Sequence, residues 1–220
     1  TYAYIKGFQG DSISPASVSC MVKHFPGGGP QKDGEDPHFR YGKDQVYPGN
    51  NFDYHLKPFS AAFEAGVSQV MPYYGVPTGT GKEEVGFGFH KEIISGLLRE
   101  SLGFQGIVCT DWGLISPVKI FGYTLFDAKD YGVEGLTLEE KVNKAIQAGV
   151  DQFGGEHVPE LVVERFGDEQ AGSILGLADA GGSGQQDHGA GATAADDLHA
   201  ALGPTRPHCE VLCDPVLKSH

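Results

Sequence analysis

The sequence predicts an α/β protein built from parallel βα units. Three observations predict it: apolar stripes at helical spacing, a glycine closing each stripe, and a short β-rich run directly after that glycine. Glycine suits these junctions because the residue past a helix end often adopts a left-handed conformation.

Residues 2–7 read as the end of a first helix, followed by a strand near 17–22. Phe52, Leu56, Phe59 and Phe63 share one helix face that stops at Gly66, and residues 67–71 read as the second strand. Ile93, Ile94, Leu97 and Leu98 form the next stripe, closed at Gly103, with a buried strand over 106–110. Thr137 and Glu140 have the spacing of a capping box for a helix carrying Val142, Ala145 and Ile146. Gly149 ends that helix, and residues 150–153 read as the fourth strand. Four strands alternating with helices imply parallel pairing and right-handed crossovers. Periodicity alone leaves open whether the sheet is doubly wound or closes into a barrel.

Two stretches break the rhythm. Residues 25–51 are rich in Gly, Pro, Asp and Lys and lack an apolar period; so long a loop directly after a strand reads as functional. From Arg165 onward the chain is dense in Gly, Ala, Asp and Gln, and residues 171–201 show no period, which predicts an irregular, poorly ordered tail.

Composition narrows the function. The chain has 220 residues and 40% hydrophobic residues, enough for one packed domain. Its formal net charge of −13 disfavours nucleic acid and anionic membrane as partners. It contains no apolar run long enough for a membrane span, and no basic-then-apolar leader opens it at Thr1. Cys20 and Cys109 sit in strand-like runs and read as buried thiols. His208, Cys209 and Cys213 lack the second ligand pair of a zinc site, so no metal is expected. Gly27 to Gly29 are not followed by the Gly-Lys-Ser/Thr of a phosphate loop.

The chemistry-capable residues follow the strands: Lys23 and His24, Tyr73 and Tyr74, Asp111 and Trp112. In a parallel α/β fold these positions converge on one crevice or barrel mouth. Each has a bland reading: solvated lysine, structural histidine, core tyrosine, helix-capping aspartate. Their recurrence at one end of successive strands favours a site. Hydroxyl-binding Lys and His, aromatic shelves and one carboxylate suit a sugar.

The segments Lys23-His24-Phe25-Pro26-Gly27-Gly28-Gly29 and Thr110-Asp111-Trp112-Gly113 resemble the two signature regions of glycoside hydrolase family 3. Val70-Met71-Pro72-Tyr73-Tyr74, Ile5-Lys6-Gly7-Phe8-Gln9-Gly10 and Val150-Asp151-Gln152-Phe153-Gly154-Gly155 resemble its other barrel segments, in the family's order. The resemblance implies a partial (β/α)8 TIM-type barrel of about four βα units over residues 1–164, with the irregular tail over 165–220. It implies a retaining β-glycosidase in which Asp111 is the nucleophile, Lys23, His24 and Tyr74 bind sugar hydroxyls, and Trp112 lines the pocket. The expected partner is a β-linked glucoside or short oligosaccharide, with a xyloside as second choice and no cofactor. The family's first barrel half and the following domain that carries its acid/base have no match here, so the isolated chain is expected to be inactive, with unpaired strand edges. Asp36-Pro37-His38 resembles the Asp-x-His pair of β-N-acetylglucosaminidases, which makes His38 an alternative acid/base. A non-catalytic sugar-binding protein is the remaining alternative.

Overall fold

A computed structural model describes residues 1–120, 123–155 and 209–212. Helix α1 (Tyr2–Gln9) leads to strand β1 (Cys20–Phe25). The short strand β2 (Asp44–Gln45), helix α2 (Phe52–Glu64), β3 (Gln69–Pro72) and β4 (Val76–Pro77) follow. A π-helix (Glu92–Ser101) precedes β5 (Ile107–Val108), the hairpin β6 (Val118–Ile120) and β7 (Tyr123–Phe126), and helix α3 (Leu138–Ala148). Strand β8 (Cys209–Leu212) completes the described elements.

The main sheet has the order β5-β3-β1-β8 and is parallel throughout. All four residues of β3 and four of the six in β1 are buried, as expected of a sheet covered on both faces. Val22, Phe25, Val70 and Val108 pack with Phe59 and Ala62 of α2, Ile94 and Leu98 of the π-helix, and Ala145 and Ala148 of α3 in one buried core. Cys20 and Cys109 are buried free thiols.

Polar side chains fix where the strands start. Gln9, buried at the end of α1, donates from Nε2 to the Gly66 carbonyl at 2.7 Å. Its Oε1 accepts from the backbone N–H of Cys20 at 3.0 Å and of Ser68 at 3.1 Å. One amide thus ties α1 to the entries of β1 and β3. Arg99 does the same for β5, donating to the Gly106 carbonyl and to Asp151, both at 2.5 Å. Asp151 in turn accepts from Val108 N–H at 2.7 Å.

The capping box forms: Thr137 Oγ1 accepts from Glu140 N–H at 3.3 Å and Glu140 accepts from Thr137 N–H at 2.8 Å. Gly149 ends α3 at φ 111°, a conformation that side chains resist.

Four features depart from the sequence reading. The segment at 92–101 winds as a π-helix; an apolar stripe at 93, 94, 97 and 98 does not distinguish i→i+5 from i→i+4 bonding. The expected strand at 150–153 is reduced to a parallel bridge between Cys109 and Gln152. The hairpin β6–β7 was unexpected. The outer edge of β1 is not unpaired, because β8 lies parallel along it with Cys20 opposite Cys209 and Lys23 opposite Leu212. An open edge offers a row of unpaired N–H and C=O groups that a short strand satisfies. The rest of the tail, the boundary at 164/165, His208 and Cys213 lie outside the described residues.

Candidate active site

The site grows from the ends of β1, β3 and β5. Between Lys23 and Phe25 the ladder slips: Lys23 opposes Met71, but Phe25 opposes Pro72. Two residues of β1 therefore face one step of β3, and a bulge of this kind re-aims the extra side chain. That residue is His24. Its Nε2 lies 3.2 Å from Oδ2 of Asp111, which follows β5, and both side chains are largely shielded from solvent.

Asp111 is nearly buried, at 8% exposure. Burial alone would push its carboxyl up. The His24 imidazole and the Trp112 N–H donating to Oδ1 at 2.7 Å lead the effects that outweigh it and hold the group below the ordinary 3.8. The arrangement keeps an ionised carboxylate in a shielded place, which is what a carbon-directed nucleophile needs.

Aromatic groups flank it. The Tyr74 hydroxyl donates to the Trp112 carbonyl at 2.5 Å. The Tyr73 ring stacks on His24 with centroids 4.8 Å apart. The Trp112 indole remains 47% exposed and offers a flat apolar face. Gly155 passes directly beneath it: a Cβ there would lie 1.8 Å from Trp112 Cδ1. Lys23 is buried beside His24 on β1.

The loop over 25–51 returns to this end. Asp36 Oδ1 accepts from the His38 N–H at 2.9 Å and pairs with His38 Nδ1 at 2.7 Å. The half-exposed His38 ring meets Tyr74 edge-on at 5.2 Å. Distant residues hold the loop there. Tyr131 donates to the Pro37 carbonyl at 3.0 Å, and Arg40 pairs with Glu134 at 2.6 Å. Asp130 lies 3.9 Å from Arg40 and accepts from Lys141 at 2.7 Å. Part of the loop is also sheet, since β2 pairs with β4 in parallel.

The structure thus gathers Asp111, His24, Tyr74 and Trp112, with His38 reaching the cluster through Tyr74 and Lys23 adjacent on its strand. Sequence reasoning placed Tyr73 among the chemistry-capable strand-end residues but assigned it no role. It missed Gln31, which donates to the Tyr73 hydroxyl at 2.5 Å, and the Arg40, Tyr131 and Glu134 clamp. A cleft of about 530 Å³ opens elsewhere, between Tyr47, Phe52 and Thr78; it contains no carboxylate. Among the described residues no group of His, Cys, Asp and Glu could hold a metal, and no helix is long and apolar enough to cross a membrane.

The fold and this end of it define a parallel α/β protein with a shielded strand-end carboxylate. The sequence profile of the "Glycosyl hydrolase family 3 N terminal domain" matches residues 1–153. The chain is 56% identical over 161 residues to "Probable beta-glucosidase C" of Aspergillus flavus, covering 73% of this chain and 25% of that protein. It is 37% identical over 182 residues to "Periplasmic beta-glucosidase/beta-xylosidase" of Dickeya chrysanthemi, covering 75% and 28%. Among solved structures, a family 3 β-N-acetylglucosaminidase from Paenibacillus sp. str. FPU-7 aligns with TM-score 0.53 at 23% identity, over 86% of this chain and 36% of that one. The chain belongs to glycosyl hydrolase family 3. It spans about a quarter of the length of these curated relatives.

Proposed function

We propose that the chain carries the nucleophile side of a retaining β-glycosidase acting on non-reducing-end β-glucosides, with its βα units forming part of a (β/α)8 barrel. The observation that carries this reading is the ionised, shielded Asp111 carboxylate set against His24 and beside the open face of Trp112. In the first step an Asp111 oxygen forms a bond to the anomeric carbon as the glycosidic C–O bond breaks, and the leaving oxygen takes a proton from an acid. Water then attacks the same carbon, gives its proton to a base, and releases Asp111. Lys23, His24 and Tyr74 hydrogen-bond the sugar hydroxyls, and Trp112 stacks on its apolar face. A xyloside, which lacks the exocyclic hydroxymethyl group, is the second substrate.

Among the described residues the cluster offers one carboxylate for a reaction that needs both a nucleophile and a separate acid/base. A positioned acid contributes about 10²–10⁴-fold, so the chain alone turns over slowly. One specific observation favours a second reading. The Asp36–His38 pair lies edge-on to Tyr74, and pairing at Nδ1 leaves His38 Nε2 to exchange a proton with a leaving group. Chromogenic β-glucosides, β-xylosides and β-N-acetylglucosaminides, assayed on the native chain, Asp111→Asn and His38→Ala, separate the readings. Hydrolysis that falls sharply in both variants supports His38 as acid/base. Slow release insensitive to His38→Ala supports the first reading.

A further inference from the structure

We propose that Gln31 and Tyr73 form a positioning pair that holds the His24 imidazole against the Asp111 carboxylate. The inference rests on the reading of Asp111 as the reacting group and adds two residues to it.

His24 occupies a bulge, so the strand ladder does not fix the direction of its ring. Something else must. Tyr73 supplies a flat face 4.8 Å away, tilted by only 28° from the imidazole plane. Ring stacking at this distance favours one imidazole orientation severalfold over others. Tyr73 is itself tied down at both ends. Its ring is 5% exposed within the core, and its backbone N–H donates to the Phe25 carbonyl at 2.8 Å. Its hydroxyl accepts from Gln31 Nε2 at 2.5 Å. Gln31 is anchored in turn, bridging antiparallel to Gln45, while Val46 N–H donates to the Pro30 carbonyl at 2.9 Å. A continuous run of contacts therefore links the functional loop to Asp111 through Gln31, Tyr73 and His24. Both are positioning residues that act on Asp111 through His24.

The bland reading makes Tyr73 a core residue and nothing more. It predicts that replacing Tyr73 lowers stability and leaves the Asp111 carboxyl unchanged. The positioning reading predicts a change at Asp111, because His24 is the foremost group offsetting the effect of burial there.

The experiment follows the Asp111 carboxyl carbon by NMR through a pH titration of the full chain, assigned by its loss in Asp111→Asn. The comparisons are His24→Ala, Tyr73→Leu, Tyr73→Phe and Gln31→Leu. We expect the Asp111 midpoint to rise in His24→Ala and to rise by at least about half as much in Tyr73→Leu, which removes the stacking face. Gln31→Leu should give a smaller rise in the same direction. Tyr73→Phe, which keeps the ring, should fall between the native chain and Tyr73→Leu. A midpoint that rises in His24→Ala but stays native in both Tyr73→Leu and Gln31→Leu overturns the positioning pair alone. A midpoint unmoved in His24→Ala overturns the account of the site itself. Should Tyr73→Leu fail to fold, Gln31→Leu decides, since its side chain sits in the loop and not in the core.

Discussion

Replacing Gln9 by Leu tests how α1 fixes the entries of two strands that end at the site. Leucine fills similar space and keeps the apolar contacts, so the loss isolates the amide's hydrogen bonds. The Cys20 N–H is buried and loses its partner outright, at a cost of about 1–3 kcal/mol. The Gly66 carbonyl and the Ser68 N–H are partly buried and lose about 0.5–1.5 kcal/mol each. The Ser68 hydroxyl keeps Ser19 and the Cys20 carbonyl at 2.8 and 2.9 Å, so it adds nothing. Burying leucine in place of an amide returns about 1 kcal/mol. The net loss is about 3 kcal/mol. For a domain of this size that lowers Tm by roughly 6–12 °C. Urea unfolding followed by circular dichroism measures the loss, and amide exchange at Cys20 and Ser68 localises it. A loss under about 1 kcal/mol, or unchanged exchange at both amides, would refute the reasoning.

Three further predictions follow from the site. An activated aryl β-glucoside should be hydrolysed by the isolated chain at little above the buffer rate, with Asp111→Asn leaving steady-state release within about twofold, because one carboxylate does not complete the cycle; robust release abolished by Asp111→Asn and His38→Ala would favour the His38 reading. Asp111 has a folded pKa below its unfolded value, so it adds stability that is present above about pH 4 and is lost as pH falls through the folded pKa. Acid titration of unfolding free energy should therefore be shallower below pH 4 in Asp111→Asn, by up to about 1.4 kcal/mol per pH unit; equal slopes would contradict the depressed pKa. Gly155→Ala should displace the Trp112 indole, since the added carbon meets it at 1.8 Å and Gly155 sits at φ 61°; Trp112 is the only tryptophan, so an unchanged emission spectrum would count against that contact.

Much of this was legible in the sequence because it is encoded locally. The capping box and the glycine ends of α2 and α3 need only neighbouring residues to form. The Lys-His and Thr-Asp-Trp-Gly segments carry their chemistry in consecutive positions. What escaped depends on long-range or non-periodic features. Every residue of β7 is exposed, so it has no inside–outside alternation to read. Gln9 reaches Gly66 across a span of 57, and Arg40 meets Glu134 across a span of 94. Neither leaves a local trace. Adjacent tyrosines were visible at 73 and 74, but which one meets His24 and which meets His38 depends on the bulge in β1 and on the path of the 25–51 loop. The pairing of β8 with β1 likewise arises from a backbone edge, not from side-chain pattern.

The most direct test of the account is covalent trapping at Asp111. A 2-deoxy-2-fluoro-β-glucoside with an activated leaving group needs little acid assistance for the first step, and its fluorine destabilises the oxocarbenium-like transition state of the second, so the glycosyl-enzyme accumulates. Prolonged incubation followed by peptide mass mapping should find one fluoroglucosyl group, on the peptide containing Asp111, and none in Asp111→Asn. Labelling of another carboxylate, or no labelling at saturating reagent while the chain remains folded, would contradict the assignment of Asp111 as nucleophile.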